Sequence, residues 1–117
     1  FILNASKNED IVIRGDGTPI RSYLDQRDLA EWLLVLLYNT DSIPAVYNVG
    51  SKKEISIEKL AHKIKLIAGS NSAVIVEGSE QLNRNIYIPD TSKITSQLGV
   101  SETISLDLSI IAMLSNI

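Results

Sequence analysis

A chain of 117 residues with 44% apolar and 21% charged residues is long enough to bury one core and too apolar to stay disordered. Its net charge of −3 and isoelectric point near 5.0, with no run of Lys or Arg, exclude a surface built to neutralise several phosphates of a nucleic acid. The lack of cysteine excludes disulfides, thiolate metal sites and thiol nucleophiles, and fits a reducing compartment, with the cytoplasm as the expectation.

In chain order, FILNASKNED has no basic stretch followed by an apolar one and a small-residue cleavage site, so it does not read as a signal peptide. It reads as the tail of a helix, with Phe1, Ile2 and Ala5 on one side and Lys7 and Asn8 ending it, and the chain is expected to be cut from a longer one. Residues 10–14 are β-branched and bounded by Asp16-Gly17, which predicts a short strand and a tight turn. Residues 20–24 alternate as a second strand would. Asp25 or Gln26 opens a helix, with Asp28 and Glu31 placed near its positive end.

Leu29, Trp32, Leu33, Leu36 and Leu37 form one predicted apolar stripe on that helix, and Leu34, Val35 and Tyr38 widen it until little polar face remains. Such a helix is normally buried on more than one side. A face containing some of Leu33, Leu34, Leu37 and Tyr38 is therefore expected to be exposed in the isolated chain or covered by a partner; an unusually dry small core is the other solution. The apolar run at residues 32–38 is far shorter than the ~20 residues a membrane span needs, and no membrane partner is expected.

Residues 46–49 read as a compact buried strand ending at Gly50. A helix follows from Ser56, with Ile55 and Leu60 as a hydrophobic staple, a core face of Ile57, Leu60, Ala61, Ile64, Ile67 and Ala68, and a stop at Gly69. Residues 73–76 predict a strand, 79–85 a polar loop, 86–88 an extended piece stopped by Pro89, and 91–98 a short helix ending at Gly99. A last helix begins at Ser105, with Leu106, Ile110, Met113 and Ile117 along one stripe. The fold class is α/β, a mixed α+β piece with small sheets and about four helices and no internal repeat.

The six glycines fall into neither Gly-x-Gly-x-x-Gly nor Gly-x-x-x-x-Gly-Lys spacing, which leaves no phosphate cradle of those types. The single histidine, His62, lies beside Lys59 and Lys63 away from the core stripe and reads as a surface residue. Asp25, Asp28 and Glu31 have a sufficient cause in the helix dipole and do not argue for a metal. No serine sits in Gly-x-Ser-x-Gly, so a hydrolase triad has no support.

Together, IVIRGDGTPIRSYLDQRDLAEWL, YNVGS with ISIEKLAHKI, and IPDTSKITSQLGV resemble the C-terminal half of the extended short-chain dehydrogenase/reductases, the NAD-dependent nucleotide-sugar epimerases and dehydratases. Gly-Asp-Gly-Thr-Pro followed by Arg-Ser-Tyr-Leu is most similar to dTDP-glucose 4,6-dehydratase-like members. The resemblance implies that residues 1–117 are the nucleotide-sugar-binding part of a Rossmann-type enzyme whose NAD-binding domain is absent here. It implies NAD as cofactor of the intact enzyme and none bound by this part, a nucleoside-diphosphate sugar as ligand, and a reaction that oxidises a hexose carbon by hydride transfer and returns the hydride after elimination or epimerisation. The family's catalytic Tyr-x-x-x-Lys does not occur: Tyr23, Tyr38, Tyr47 and Tyr87 are followed four residues on by Arg27, Ser42, Ser51 and Thr91.

By the same resemblance Arg21 is the arginine that grips the substrate's diphosphate, a task suited to the planar guanidinium fork. Arg84 matches a second phosphate-binding arginine, at an offset that differs from several relatives. Val12 and Ile13 match the strand beside the nucleotide base. Asn48 and Gly50 read as the end of a buried strand, and Asp90 and Lys93 as helix-capping residues. The over-apolar helix is expected to pack on the absent Rossmann domain, or to join a second copy in a homo-oligomer. The rival reading is a stand-alone, non-catalytic binding or interaction module of the same fold.

Overall fold

The computed structural model describes residues 1–39, 46–79 and 85–117. Among these residues nine elements run in the order α1 (Ile2–Ser6), β1 (Ile11–Ile13), β2 (Ile20–Arg21), α2 (Gln26–Tyr38), β3 (Ile55–Ser56), α3 (Ile57–Ala68), β4 (Val74–Val76), α4 (Ser92–Leu98) and α5 (Leu106–Ser115). The mixed α/β class predicted from the periodicities is the observed one, with five helices among the described residues.

Local signals account for most boundaries. Ser56 caps α3 by accepting the Lys59 N–H through Oγ at 3.2 Å, Ile55 packs in the cluster that holds Leu60, and Gly69 ends the helix at φ +61°, a left-handed conformation with little cost only for glycine. Asp25 and Ser105 cap α2 and α5 in the same way. At the predicted Asp16-Gly17 turn, Gly17 takes φ +77° while Asp16 Oδ1 accepts from Thr18 N (3.0 Å) and Oγ1 (2.8 Å).

β1 and β4 form a two-stranded parallel sheet in the register Ile11↔Val74, Val12↔Ile75, Ile13↔Val76. Its exit is tight: a Cβ on Gly78 would stand 2.4 Å from the Gly15 carbonyl carbon, so only glycine fits there. β2 and β3 form a separate antiparallel pair, and Ile20 is also bridged in parallel to Ile86.

Two hydrophobic clusters result. The first joins Ala5, Ile11, Ile13, Leu60, Ala61, Ile64 and Ile110, so that α3 lies between the β1–β4 sheet and helices α1 and α5. The second is smaller, with Trp32, Ile94 and Val100 at its centre and Leu24, Val35, Leu36, Tyr47, Val49 and Leu98 around them.

Four expectations are corrected. Residues 46–49 form no strand: Val46 is exposed, and the segment is held by side chains instead, with Lys93 Nζ donating to the Val46 carbonyl (2.9 Å), Asn48 Nδ2 to the Asp90 carbonyl (3.2 Å) and Tyr47 OH to Gln97 Oε1 (2.9 Å). The second strand is shorter than residues 20–24 and stops at Arg21. On α2, Trp32 and Leu36 of the predicted stripe face inward together with Asp28 and Val35, while Leu29, Leu33 and Leu37 of that stripe are exposed, because Trp32 reaches across to α4 and Val100. On α5, Met113 and Ile117 are exposed, and Leu114 joins Leu106 and Ile110 against the first cluster.

The molecule is a thin slab of 52 × 37 × 16 Å with a radius of gyration of 16.9 Å, against about 13 Å for a compact domain of this length. Its accessible surface of 8002 Å2 exceeds by about a quarter the ~6,300 Å2 typical of a monomer of its mass. Leu33 (52% exposed), Leu34 (55%), Leu37 (68%) and Tyr38 (86%) are part of that surplus, as expected for a helix apolar on both sides.

Candidate functional site

The residue assigned to phosphate binding sits where three extended segments meet. Ile20 donates its N–H to Asn85 O (2.8 Å) and accepts from Tyr87 N (3.0 Å), while Arg21 faces Ile55 across the β2–β3 pair. The Arg21 side chain folds back on this junction, and Nη1 donates to the carbonyls of Ile20 (2.8 Å) and Asn85 (3.1 Å). Among the described residues no carboxylate pairs with it, and it is half-buried. A guanidinium has five N–H donors, so the two carbonyls leave donors for a planar anion on the same fork. The carbonyls restrict the side chain's rotamers, which lowers the entropy that a ligand contact has to overcome.

The other assigned residues are placed as follows. Val12 is on β1, in a different sheet from Arg21, with its side chain exposed opposite Ile75. Ile13 is only 4% exposed and its side chain belongs to the first cluster, while its carbonyl already accepts from Glu77 N at 2.8 Å. The Ile13 side chain is therefore closed to a ligand, while Val12 stands on the open sheet face. Arg84 lies outside the described residues. Asp90, read as a helix cap, is the residue before the N-cap Thr91; it accepts from Ser92 N (3.0 Å) and Oγ (2.6 Å), and these bonds hold its carboxyl below the usual range. Lys93 does not cap; it bonds the Val46 carbonyl and rides 4.7 Å from the Tyr47 ring centre. Gly50 is constrained by packing, since a Cβ there would stand 2.6 Å from Pro89 Cγ. His62 is exposed, with Glu58 Oε1 4.0 Å from its Nε2.

Beside the start of α2 lies a groove of about 750 Å3, lined on its apolar side by Phe1, Leu3, Leu24, Ile64 and Met113, with Asp25 and Arg27 among its polar groups. A smaller cavity of about 300 Å3 holds Ser51, Lys53, Glu54, Lys63, Glu102 and Asp107. Tyr23, two residues beyond Arg21, lines both.

Periodicity missed the carboxylates at the start of α2. Asp25 is no simple cap: Oδ1 accepts from Arg27 N (2.8 Å) and Nε (3.0 Å), and Oδ2 from Arg27 Nη2 (2.9 Å) and Ser109 Oγ (2.6 Å). Hydrogen bonds from the Arg27 side chain, then from Ser109, hold its carboxyl far below the ordinary range. Asp28, 1% exposed, accepts from Thr103 Oγ1 (2.5 Å), Thr103 N (3.0 Å) and Ile104 N (2.9 Å). Burial pushes this acid up, but the donors of Thr103 and Ile104 outweigh it and the net direction is down. The sequence signal was an acid at the position before an apolar helix face, equally consistent with the helix dipole.

Residues 1–50 match the model of the NAD dependent epimerase/dehydratase family. The chain is 35% identical over 104 residues, 87% of its length, to the trifunctional UDP-glucose 4,6-dehydratase/UDP-4-keto-6-deoxy-D-glucose 3,5-epimerase/UDP-4-keto-L-rhamnose-reductase of Arabidopsis thaliana. The chain is similar to members of the NAD-dependent epimerase/dehydratase family over most of its length. Its fold is that of a UDP-glucose 4-epimerase from Thermotoga maritima solved with UDP-glucose (TM-score 0.84, 21% identity, 97% of this chain and 36% of that one). It also matches the Bordetella bronchiseptica enzyme WbmF solved with NADH (TM-score 0.83, 27% identity, 97% of this chain and 34% of that one). The chain spans 15% of the Arabidopsis relative's length, so it compares with only part of each of these proteins.

Proposed function

We propose that this chain is the nucleotide-sugar-binding portion of a cytoplasmic NAD-dependent sugar-nucleotide dehydratase or epimerase, a lyase or isomerase, and that it has no turnover on its own. The observation that carries the reading is Arg21: a half-buried arginine held by two backbone carbonyls, with no described carboxylate to neutralise it, in a chain whose relatives are named for UDP-sugar or GDP-sugar chemistry. An arginine so restricted is suited to a diphosphate, and the family match supports a nucleoside-diphosphate sugar as the ligand. Arg84 is assigned a second phosphate contact and Val12 a contact beside the base. dTDP-glucose is the preferred sugar nucleotide, on the strength of the Gly-Asp-Gly-Thr-Pro and Arg-Ser-Tyr-Leu pattern.

Neither a glycine-rich cradle nor a Tyr-x-x-x-Lys pair is encoded in these 117 residues. On this reading the cofactor and the chemical step belong to another part of the polypeptide. Calorimetric titration of the complete polypeptide with dTDP-glucose and UDP-glucose tests the site. A charge-assisted bond to phosphate contributes about 1.5–3 kcal/mol, so Arg21→Ala weakens binding at least about tenfold and Arg21→Lys recovers only part of it. Equal affinity in wild type and Arg21→Ala removes Arg21 from the site. Steady-state turnover by the 117-residue chain supplied with NAD and dTDP-glucose overturns the assignment of chemistry elsewhere.

A further inference from the structure

Three side chains on one face of α2 reach the same downstream segment. Asp25 meets Ser109, Asp28 meets Thr103 and Ile104, and Trp32 Nε1 donates to the Ser101 carbonyl at 3.3 Å. Spacings of three and four residues stack these positions along a single helix face. As α2 is followed forward its partners run backward from 109 to 101, so the two segments are laced together in antiparallel order. Asp28 makes the most bonds in the seam: fully buried, it takes both backbone N–H groups and the hydroxyl offered by residues 103–104.

This seam ends where the arginine-bearing segment begins. Arg21 is the last residue of β2, and residues 22–24 cross to the Asp25 cap in an irregular conformation between the two elements. Such a strap takes its position from its anchors. One anchor is the β2 junction with residues 55–56 and 85–87; the other is the first turn of α2, which the seam fixes against residues 101–109. We infer that Asp28 is a positioning residue for the sugar-nucleotide site, acting through the first turn of α2 on the strap that carries Arg21. The inference rests on the proposed role of Arg21, and it assigns Asp28 no contact with the ligand.

The test is a double-mutant cycle on the complete polypeptide, titrated with dTDP-glucose and UDP-glucose. Asp28→Asn keeps the shape of the side chain while replacing one of its two acceptor oxygens by an N–H donor, and is expected to weaken binding about three- to tenfold in the wild-type background but less than about twofold in Arg21→Ala. Thr103→Val, which removes only the hydroxyl donor, follows the same pattern at smaller size and serves if Asp28→Asn fails to fold. A purely structural role lowers the melting temperature without this coupling. Unchanged affinity in both single variants, or the same loss in both backgrounds, overturns the positioning role. Wild-type affinity in Arg21→Ala alone overturns the underlying site and the inference with it, so the two failures are told apart by which single variant is silent.

Discussion

The two hydrophobic clusters of this chain are finished to different degrees. Around the first, α3 is covered by the β1–β4 sheet on one side and by α1 and α5 on the other, and Ile11, Ala61, Ile64 and Ile110 are almost wholly removed from water. Around the second, Trp32, Ile94 and Val100 are as deeply buried, yet α2 sends only one of its two apolar faces toward them. The difference teaches that burial of a residue and completion of a layer are separate matters: the second cluster is closed at its centre, while the helix that roofs it keeps an apolar outer face, in a slab only 16 Å thick.

The largest effects should come from the first cluster. Ile64→Ala removes a side chain that is almost wholly buried in the first cluster and is expected to cost about 2–5 kcal/mol in urea denaturation of the chain, with Ile94→Ala at the low end of that range because the thinner second cluster can collapse around the gap. Equal losses at the two positions would mean that the second cluster is as rigidly enclosed as the first.

The seam between α2 and residues 101–109 comes next. The carboxyls of Asp25 and Asp28 are both held below their ordinary value of 3.8 in the folded chain. A group whose folded value is depressed contributes stability that is complete above the unfolded value and is lost as pH falls through the folded one. Stability should therefore be insensitive to these two groups between about pH 5 and 8 and fall below about pH 4. Leaving the buried N–H groups of Thr103 and Ile104 without an acceptor costs about 1–3 kcal/mol, so Asp28→Ala should remove that much at neutral pH and flatten the acid limb of the curve. Denaturation midpoints measured from pH 3 to pH 8 decide it; an acid limb of unchanged slope in Asp28→Ala assigns the acid sensitivity to other groups.

Legibility in the sequence followed the range of the interactions involved. The third helix was readable from cap to cap because Ser56, the Ile55–Leu60 staple and Gly69 act within a few residues of one another. The exposed group Leu33, Leu34, Leu37 and Tyr38 was readable because no helix in so small a domain can bury its whole circumference. Which face of α2 turns inward was not, since that is decided by Trp32 reaching Val100 and by Asp28 reaching Thr103, contacts across some 70 residues of sequence. Residues 46–49 have a strand's composition but are tied down by Lys93, Asn48 and Tyr47 side chains rather than by a ladder, an arrangement with no local signature. For the candidate site, Arg21 was singled out only through its neighbours in a family motif; its hold on the Asn85 carbonyl and the seam behind it belong to tertiary structure.

The smallest expected effect is the most informative about the unfinished side. Leu37 is 68% exposed and Leu33 52%, so in the 117-residue chain their side chains have little burial to lose. Leu37→Ser should change the stability of that chain by less than about 0.5 kcal/mol, the usual range for surface substitutions. If the outer face of α2 is covered by another part of the polypeptide, the same substitution buries a hydroxyl in an apolar contact and should lower the stability of the complete polypeptide by about 1–3 kcal/mol. If a second copy covers it instead, the isolated chain should sediment as a dimer and Leu37→Ser should return it to a monomer. The first pattern makes α2 an internal roof shared by two layers, and the second makes it a subunit interface. A neutral result in both proteins would leave Leu33, Leu34, Leu37 and Tyr38 as plain surface, and the surplus accessible area of the slab would then have to be covered through the outer face of the β1–β4 sheet, where Val12 and Ile75 stand side by side.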